Sequence, residues 1–175
     1  MVISSPDVAL AQRIAGSLRR TPVDFAGCAG QPTQLDAPRL RTPQRDRADR
    51  LLAPGNPVAA GVCRYESGWL VRSTSITGAQ ATALAGTLNG LPHGTSRLAP
   101  GTYSESICPE EAGNAVLVHF SYRDGPPLTV WTRLEGCGDL GASNGTVRAR
   151  RGNALRQPMG RLVGTNFWPN VIDRP

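Results

Sequence analysis

The chain has 175 residues, of which 39% are hydrophobic and 18% charged, a length that supports one domain with a real core plus an arm and not two full domains. Its net charge of +6 comes from nineteen Arg and no Lys, spread as eight Arg against five acids over residues 1–57 and eleven against eight over 58–175. With no basic tail and only 5% aromatic residues, the pattern argues against a nucleic-acid partner, and no stretch approaches the ~20 apolar residues of a transmembrane segment.

Ser5, Pro6 and Asp7 open an N-terminal helix over about 6–19, with Ser5 as cap, Pro6 at the first helical position and Val8, Ala11, Ile14, Ala15 and Leu18 at helical spacing. Residues 21–57 contain six Pro, several Gly and five Arg between 39 and 50. They read as an irregular arm, with room for one helical turn after Thr42 and Pro43. Asp46 and Asp49 interrupt the Arg run, which marks a solvated face.

The ordered core is expected between Val58 and Arg151. Strands are predicted over 62–66 and 69–76, joined by a turn at Ser67 and Gly68. Thr77 and Gln80 have capping-box spacing ahead of a helix over 78–90, whose apolar stripe is Ala81, Leu84, Ala85, Leu88 and Leu91 and whose end is marked by Gly90 and Pro92. A long loop over 93–107 leads to Cys108. Strands over 115–122 and 128–135 flank the turn Asp124-Gly125-Pro126-Pro127 and form a hairpin. Alternation places Val116, Val118, Phe120, Tyr122, Leu128, Val130 and Leu134 on a face for the helix to cover, and His119, Ser121, Trp131 and Arg133 on the opposite face. Asn144-Gly145 turns the chain into a last strand over 146–150, followed by a tail whose Phe167 and Trp168 dock back. The expected fold is therefore α+β: an antiparallel sheet of about four to five strands with one main helix packed on it, plus an N-terminal helix and irregular arm. The division is 1–57 for helix and arm and 58–175 for the disulfide-linked domain.

Cys28, Cys63, Cys108 and Cys137 are widely spaced, show no CxxC pair and have only His93 and His119 to complete a metal site, so neither structural zinc nor another cofactor is expected. An even number of distant Cys in a short chain reads as two disulfides formed in an oxidising compartment. Three connectivities are open; clipping each sheet connection locally favours Cys28 with Cys63 and Cys108 with Cys137. The first residues lack the apolar core of a signal peptide, so an exported chain implies an added Met1 after removal of a signal peptide or membrane anchor. The all-Arg usage reads as a GC-rich coding sequence and a high-GC bacterium.

Gly141-Ala142-Ser143-Asn144-Gly145 matches the GxSxG pattern of serine hydrolases, but a strand is expected after it instead of a helix, and both His precede Ser143. Turn chemistry accounts for it, and no catalytic residue is assigned. His119 lacks a designated nucleophile or acid. Glu110 and Glu111 are adjacent loop residues that do not flank a substrate as an acid and base must. Asn144-Gly145-Thr146 is formally a glycosylation sequon.

Cys63-Arg64-Tyr65, two strands, an Ala/Leu helix ending in Leu88-Asn89-Gly90-Leu91-Pro92, a further Cys, a strand to Tyr122-Arg123-Asp124-Gly125 and a closing Gly136-Cys137 together resemble a broad group of exported, often membrane-anchored proteins of actinobacteria. The resemblance covers under half of the chain and implies exposure outside the membrane without an established activity. The order of helix, Leu-Asn, Cys108-Pro109 loop, hairpin and closing Cys is also similar to the subtilisin inhibitors of streptomycetes. There Pro109, Glu110 and Glu111 would form the partner-binding loop, with Glu110 entering the specificity pocket, although the family's other Cys pair ahead of the helix is missing. The expected function is an extracytoplasmic binding or sensory domain for a protein or cell-envelope ligand, not an enzyme. The alternative is a secreted serine protease inhibitor.

Overall fold

A computed structural model of the chain describes residues 23–31, 45–94, 115–133, 140–150 and 153–164. Their elements run β1 (Ala59–Glu66), β2 (Trp69–Thr77), α1 (Ala79–Asn89), β3 (Ala115–Ser121), β4 (Leu128–Arg133), β5 (Leu140–Ser143), β6 (Arg148–Arg150), a 3₁₀ turn (Asn153–Leu155) and α2 (Arg156–Val163). The N-terminal helix over 6–19, the loop over 95–107, and Phe167 and Trp168 lie outside the described residues.

The α+β expectation holds, with six antiparallel strands in the order β2-β1-β3-β4-β5-β6. The strand missed by sequence reading is β5, because Leu140–Ser143 is four residues long and its Gly and Ser carry little strand signal. The β1–β2 hairpin turns through Ser67 at φ 49° and Gly68 at φ 82°, the left-handed pair a tight two-residue turn requires. Between β5 and β6 the chain turns at Asn144–Val147, where Asn144 N donates to Val147 O at 3.2 Å.

β3 and β4 are the central strands, and one face of the sheet buries Ala60, Val62, Val116, Val118, Phe120, Leu128, Val130, Ala142 and Ala149. Across it, α1 lays Ala81, Leu84, Ala85 and Leu88, spaced along one side of the helix as the sequence pattern requires. The expected capping box is not formed: Gly78 is the N-cap and no side chain caps the helix. Thr77 is instead the last residue of β2, paired with Ala59, and the chain enters the helix through Gly78 at φ 53°, ψ −125°, a conformation open to glycine alone.

The core does not stop at Arg151. α2 adds Met159 and Val163, and the 3₁₀ turn adds Leu155. This helix escaped the sequence reading because Gly160 and Pro158 depress helix propensity; Pro158 sits in its first turn, where a missing N–H is harmless.

Two pieces of the segment assigned to the arm pack on this body. Residues 45–57 form no regular strand or helix, yet Leu52 and Ala53 are fully buried in the main core. Two Asn side chains supply the backbone partners that irregular structure lacks. Asn89 Oδ1 accepts from Ala53 N at 2.9 Å and Asn89 Nδ2 donates to Ala53 O at 2.8 Å. Asn144 Nδ2 donates to Ala48 O and Leu51 O, each at 3.0 Å, and reaches Leu52 O at 3.3 Å. Its Oδ1 holds the β5–β6 turn by accepting from Thr146 N and Val147 N at 3.0 and 2.8 Å.

Arg45 departs from the solvated reading of the Arg run. Its guanidinium lies 3.4 Å over the Tyr122 ring, a cation–π contact, and Nη1 donates to Asp124 O and Pro126 O at 3.0 and 3.1 Å. The side chain thereby fastens the arm to the β3–β4 loop. Arg47 and Arg50 are exposed, as expected.

Candidate functional site

The second face of the sheet carries His119, Ser121 and Trp131 as alternation places them, but it is covered over Trp131. Trp131, Leu117, Tyr65, Ala115 and Cys63 form a second buried cluster there with Ala26 and Cys28. What covers them is the segment 23–31, a cap that local pattern could not place because it comes from outside the sheet.

The cap is a small hairpin of its own. Val23 bridges Ala29, Asp24 N donates to Cys28 O at 2.9 Å and Gly27 N to Asp24 O at 3.0 Å. The Asp24 carboxylate closes the turn from within, Oδ1 accepting from Ala26 N and Cys28 N at 2.9 and 2.8 Å. Burial pushes the pKa of this carboxyl upward, but hydrogen bonds from the Ser73 hydroxyl and from the N–H groups of Cys28, Ala26 and Gly27 outweigh it and hold the carboxyl below its ordinary value.

Besides the Ser73 hydroxyl on Asp24, three attachments fix the cap to the sheet. Cys28 and Cys63 are joined in a disulfide with Cα atoms 5.6 Å apart, both nearly inaccessible to solvent. Tyr65 Oη donates to Ala29 O at 2.9 Å; burial, and then the Asp24 charge, push its pKa up to about 12. Leu70 N donates to Gly30 O at 3.0 Å. Between these points the Ala26 carbonyl rests on Gly61, where a Cβ would collide with it, so only glycine lets the cap lie flat on β1. At the tip, Phe25 is 83% exposed and Val23 41%. The turn uses neither side chain.

His119 shares this face. It is half-buried, its Nδ1 lies 2.9 Å from Thr129 Oγ1, and burial lowers its pKa. The unfolded chain therefore takes up the proton more readily than the folded one, so stability is complete above the ordinary His range and is lost as pH falls through it. Thermal unfolding is expected to move to lower temperature between about pH 7.5 and about pH 5, and His119→Gln to remove most of that slope. An unchanged slope in the variant would assign the effect elsewhere.

Of the expected site residues, Cys28 and Cys63 are brought together as anticipated, whereas Cys108, Cys137, Pro109, Glu110 and Glu111 lie outside the described residues. Ser143 is the final residue of β5, completely buried, and its Oγ accepts from Gly145 N at 3.0 Å. A strand follows it after the turn, so the geometry is that of a hairpin and not of an exposed nucleophile elbow. A fluorophosphonate probe is expected to leave Ser143 unlabelled, and Ser143→Ala to cost about 1 kcal/mol for the lost turn hydrogen bond; stoichiometric labelling would reverse this reading. Among the described residues, no three His, Cys, Asp or Glu side chains converge to hold a metal ion.

Sequence reasoning missed Asp24, Phe25 and Gly61. The signal for the first lay in Asp24-Phe25-Ala26-Gly27 beside a Cys, an Asx-turn pattern, but nothing local marks Gly61 as the seat of a distant carbonyl. No family model matches the chain, and neither a search of curated proteins nor one of solved structures returns a match.

Proposed function

We propose that the chain is an extracytoplasmic binding domain that meets a protein or cell-envelope ligand through the cap side of its sheet. The observation that carries this reading is the buried Cys28–Cys63 disulfide: it ties an otherwise short irregular segment across the sheet, an arrangement suited to an oxidising compartment, and leaves an exposed Phe25 on a stiff turn. The likeness of the Cys63 to Cys137 region to exported actinobacterial proteins supports the same compartment. Among the described residues no helix is long and apolar enough to cross a membrane. Fractionation of the cells that make the protein, with alkylation before lysis, should recover the chain outside the cytosol with Cys28 and Cys63 protected. Recovery in the cytosol with both thiols alkylated would overturn the proposal.

The inhibitor reading rests on the likeness around Cys108-Pro109-Glu110-Glu111, and it predicts stoichiometric inhibition of a serine protease, a Glu-cleaving one above all, that Glu110→Ala abolishes. Titration of several serine proteases up to micromolar protein without inhibition would end it.

A further inference from the structure

We propose that Asn89 is a site of spontaneous deamidation, and that its conversion to aspartate or isoaspartate unclamps Ala53 and loosens residues 45–57 from the body of the protein. The inference does not depend on the binding-domain reading above.

Asparagine followed by glycine occurs twice in the chain, at Asn89-Gly90 and Asn144-Gly145. These are the same two side chains that pair the irregular backbone of residues 45–57. Such a step is reactive because glycine has no Cβ to keep its backbone nitrogen away from the preceding side chain. The Gly90 nitrogen attacks Cγ of Asn89; that C–N bond forms, the bond from Cγ to Nδ2 breaks, and the side-chain nitrogen leaves as ammonia with the proton given up by the backbone nitrogen. Water then opens the cyclic imide at either carbonyl, giving aspartate or, with the main chain rerouted through the side chain, isoaspartate. The sum consumes one water, releases one ammonia and transfers no electrons.

Position decides between the two steps. Asn89 is the last residue of α1 and half-buried, and Gly90 is exposed. The attacking nitrogen is engaged at the helix end, donating to Gly86 O at 3.0 Å, where helices fray first. Nδ2 and Oδ1 of Asn89 both bond Ala53, so a brief lifting of Ala53 frees the amide. Asn144, by contrast, is 1% exposed. Its Oδ1 is fixed by Thr146 N and Val147 N, and Gly145 N donates to Ser143 Oγ at 3.0 Å. Lifting residues 45–57 leaves those bonds in place, so Asn89 reacts first.

The product cannot remake the clamp. One oxygen of an aspartate can still accept from Ala53 N, but the other stands where Nδ2 donated to Ala53 O at 2.8 Å, and two acceptors then face each other. Ala53 and Leu52 are fully buried, and a carboxylate beside them carries a desolvation penalty. An isoaspartate adds a methylene to the main chain at the end of α1 and moves the carboxylate out of register. With the ammonia lost to solvent, the loosening is one-way.

The test stores the intact oxidised chain in mildly alkaline buffer at body temperature and follows it by cation-exchange chromatography and peptide mapping. A less basic species should accumulate, carrying aspartate and isoaspartate at position 89 ahead of position 144 and of the other asparagines. In that species, and in Asn89→Asp, the amides of residues 51–53 should exchange faster while those of β1 and β3 keep their protection. Gly90→Ala leaves the Asn89 clamp intact, since its Cβ would meet nothing closer than Gly86 O at 3.4 Å. It should slow the conversion roughly tenfold or more at an unchanged unfolding temperature. Conversion at 144 before 89, equal rates in the parent and Gly90→Ala, or a converted species whose residues 51–53 stay protected would each overturn the proposal. So would a native chain that keeps Asn89 intact over the time in which the same chain in urea converts it.

Discussion

Replacing Asn144 by Ala is expected to lower the free energy of unfolding by roughly 3–5 kcal/mol, the largest effect of any single polar substitution in the core. The side chain is 1% exposed and serves two sets of groups: the carbonyls of Ala48, Leu51 and Leu52 on one side and the N–H groups of Thr146 and Val147 on the other. Alanine leaves the buried bonds to Ala48 O, Leu52 O and Val147 N unmade, each at a cost of about 1–3 kcal/mol before local relaxation. Part of that cost is recovered by letting residues 48–52 lift into water, so Leu52 should lose protection along with the turn. Urea denaturation measures the loss. Asn89→Ala, which frees Ala53 from the same segment, should not add to it fully, because a segment already lifted by one change has less to lose to the second. A cost below 1 kcal/mol for Asn144→Ala, or full additivity, would show that the segment is held by apolar packing alone.

Opening the Cys28–Cys63 bond, by paired replacement with Ser, should cost about 4 kcal/mol for a cross-link spanning 35 residues. The structural consequence is specific. With the bond gone, the cap keeps the Tyr65 and Leu70 hydrogen bonds and the Ser73 hydroxyl on Asp24, and the Trp131 and Leu117 cluster under it is expected to open to water. Trp131 fluorescence should shift to longer wavelength before global unfolding in the variant and together with it in the parent. Gly61→Ala offers an independent route to the same state, since its Cβ would strike the Ala26 carbonyl and push the cap outward with the disulfide intact. If neither change alters Trp131 emission ahead of unfolding, the cap is not a separately releasable layer.

The elements with strong periodic signals were legible: the β1–β2 hairpin, α1 with its Ala81, Leu84, Ala85 and Leu88 stripe, and the β3–β4 hairpin around Asp124 and Gly125 follow from alternation, helical spacing and turn chemistry. Local pairing of cysteines also pointed to Cys28 with Cys63. Each of these depends on residues near one another in the chain, or on a pattern that a single face imposes.

What tertiary structure alone decided lies at longer range. Trp131 and Leu117 alternate correctly onto the second face, but whether that face meets water depends on the cap at residues 23–31, far upstream in the chain. Asn89 and Asn144 read as turn and helix-end residues because an Asn side chain satisfies its own backbone in such places; their grip on Ala53 and on Ala48 to Leu52 exists only once the arm is folded against them. Gly61 is the sharpest case. In sequence it is a weak position within a strand, and only the Ala26 carbonyl lying across it explains why a side chain there has no room. Period and turn signals are properties of neighbours along the chain, whereas coverage of a face and pairing of an irregular backbone are properties of whatever the fold brings against it.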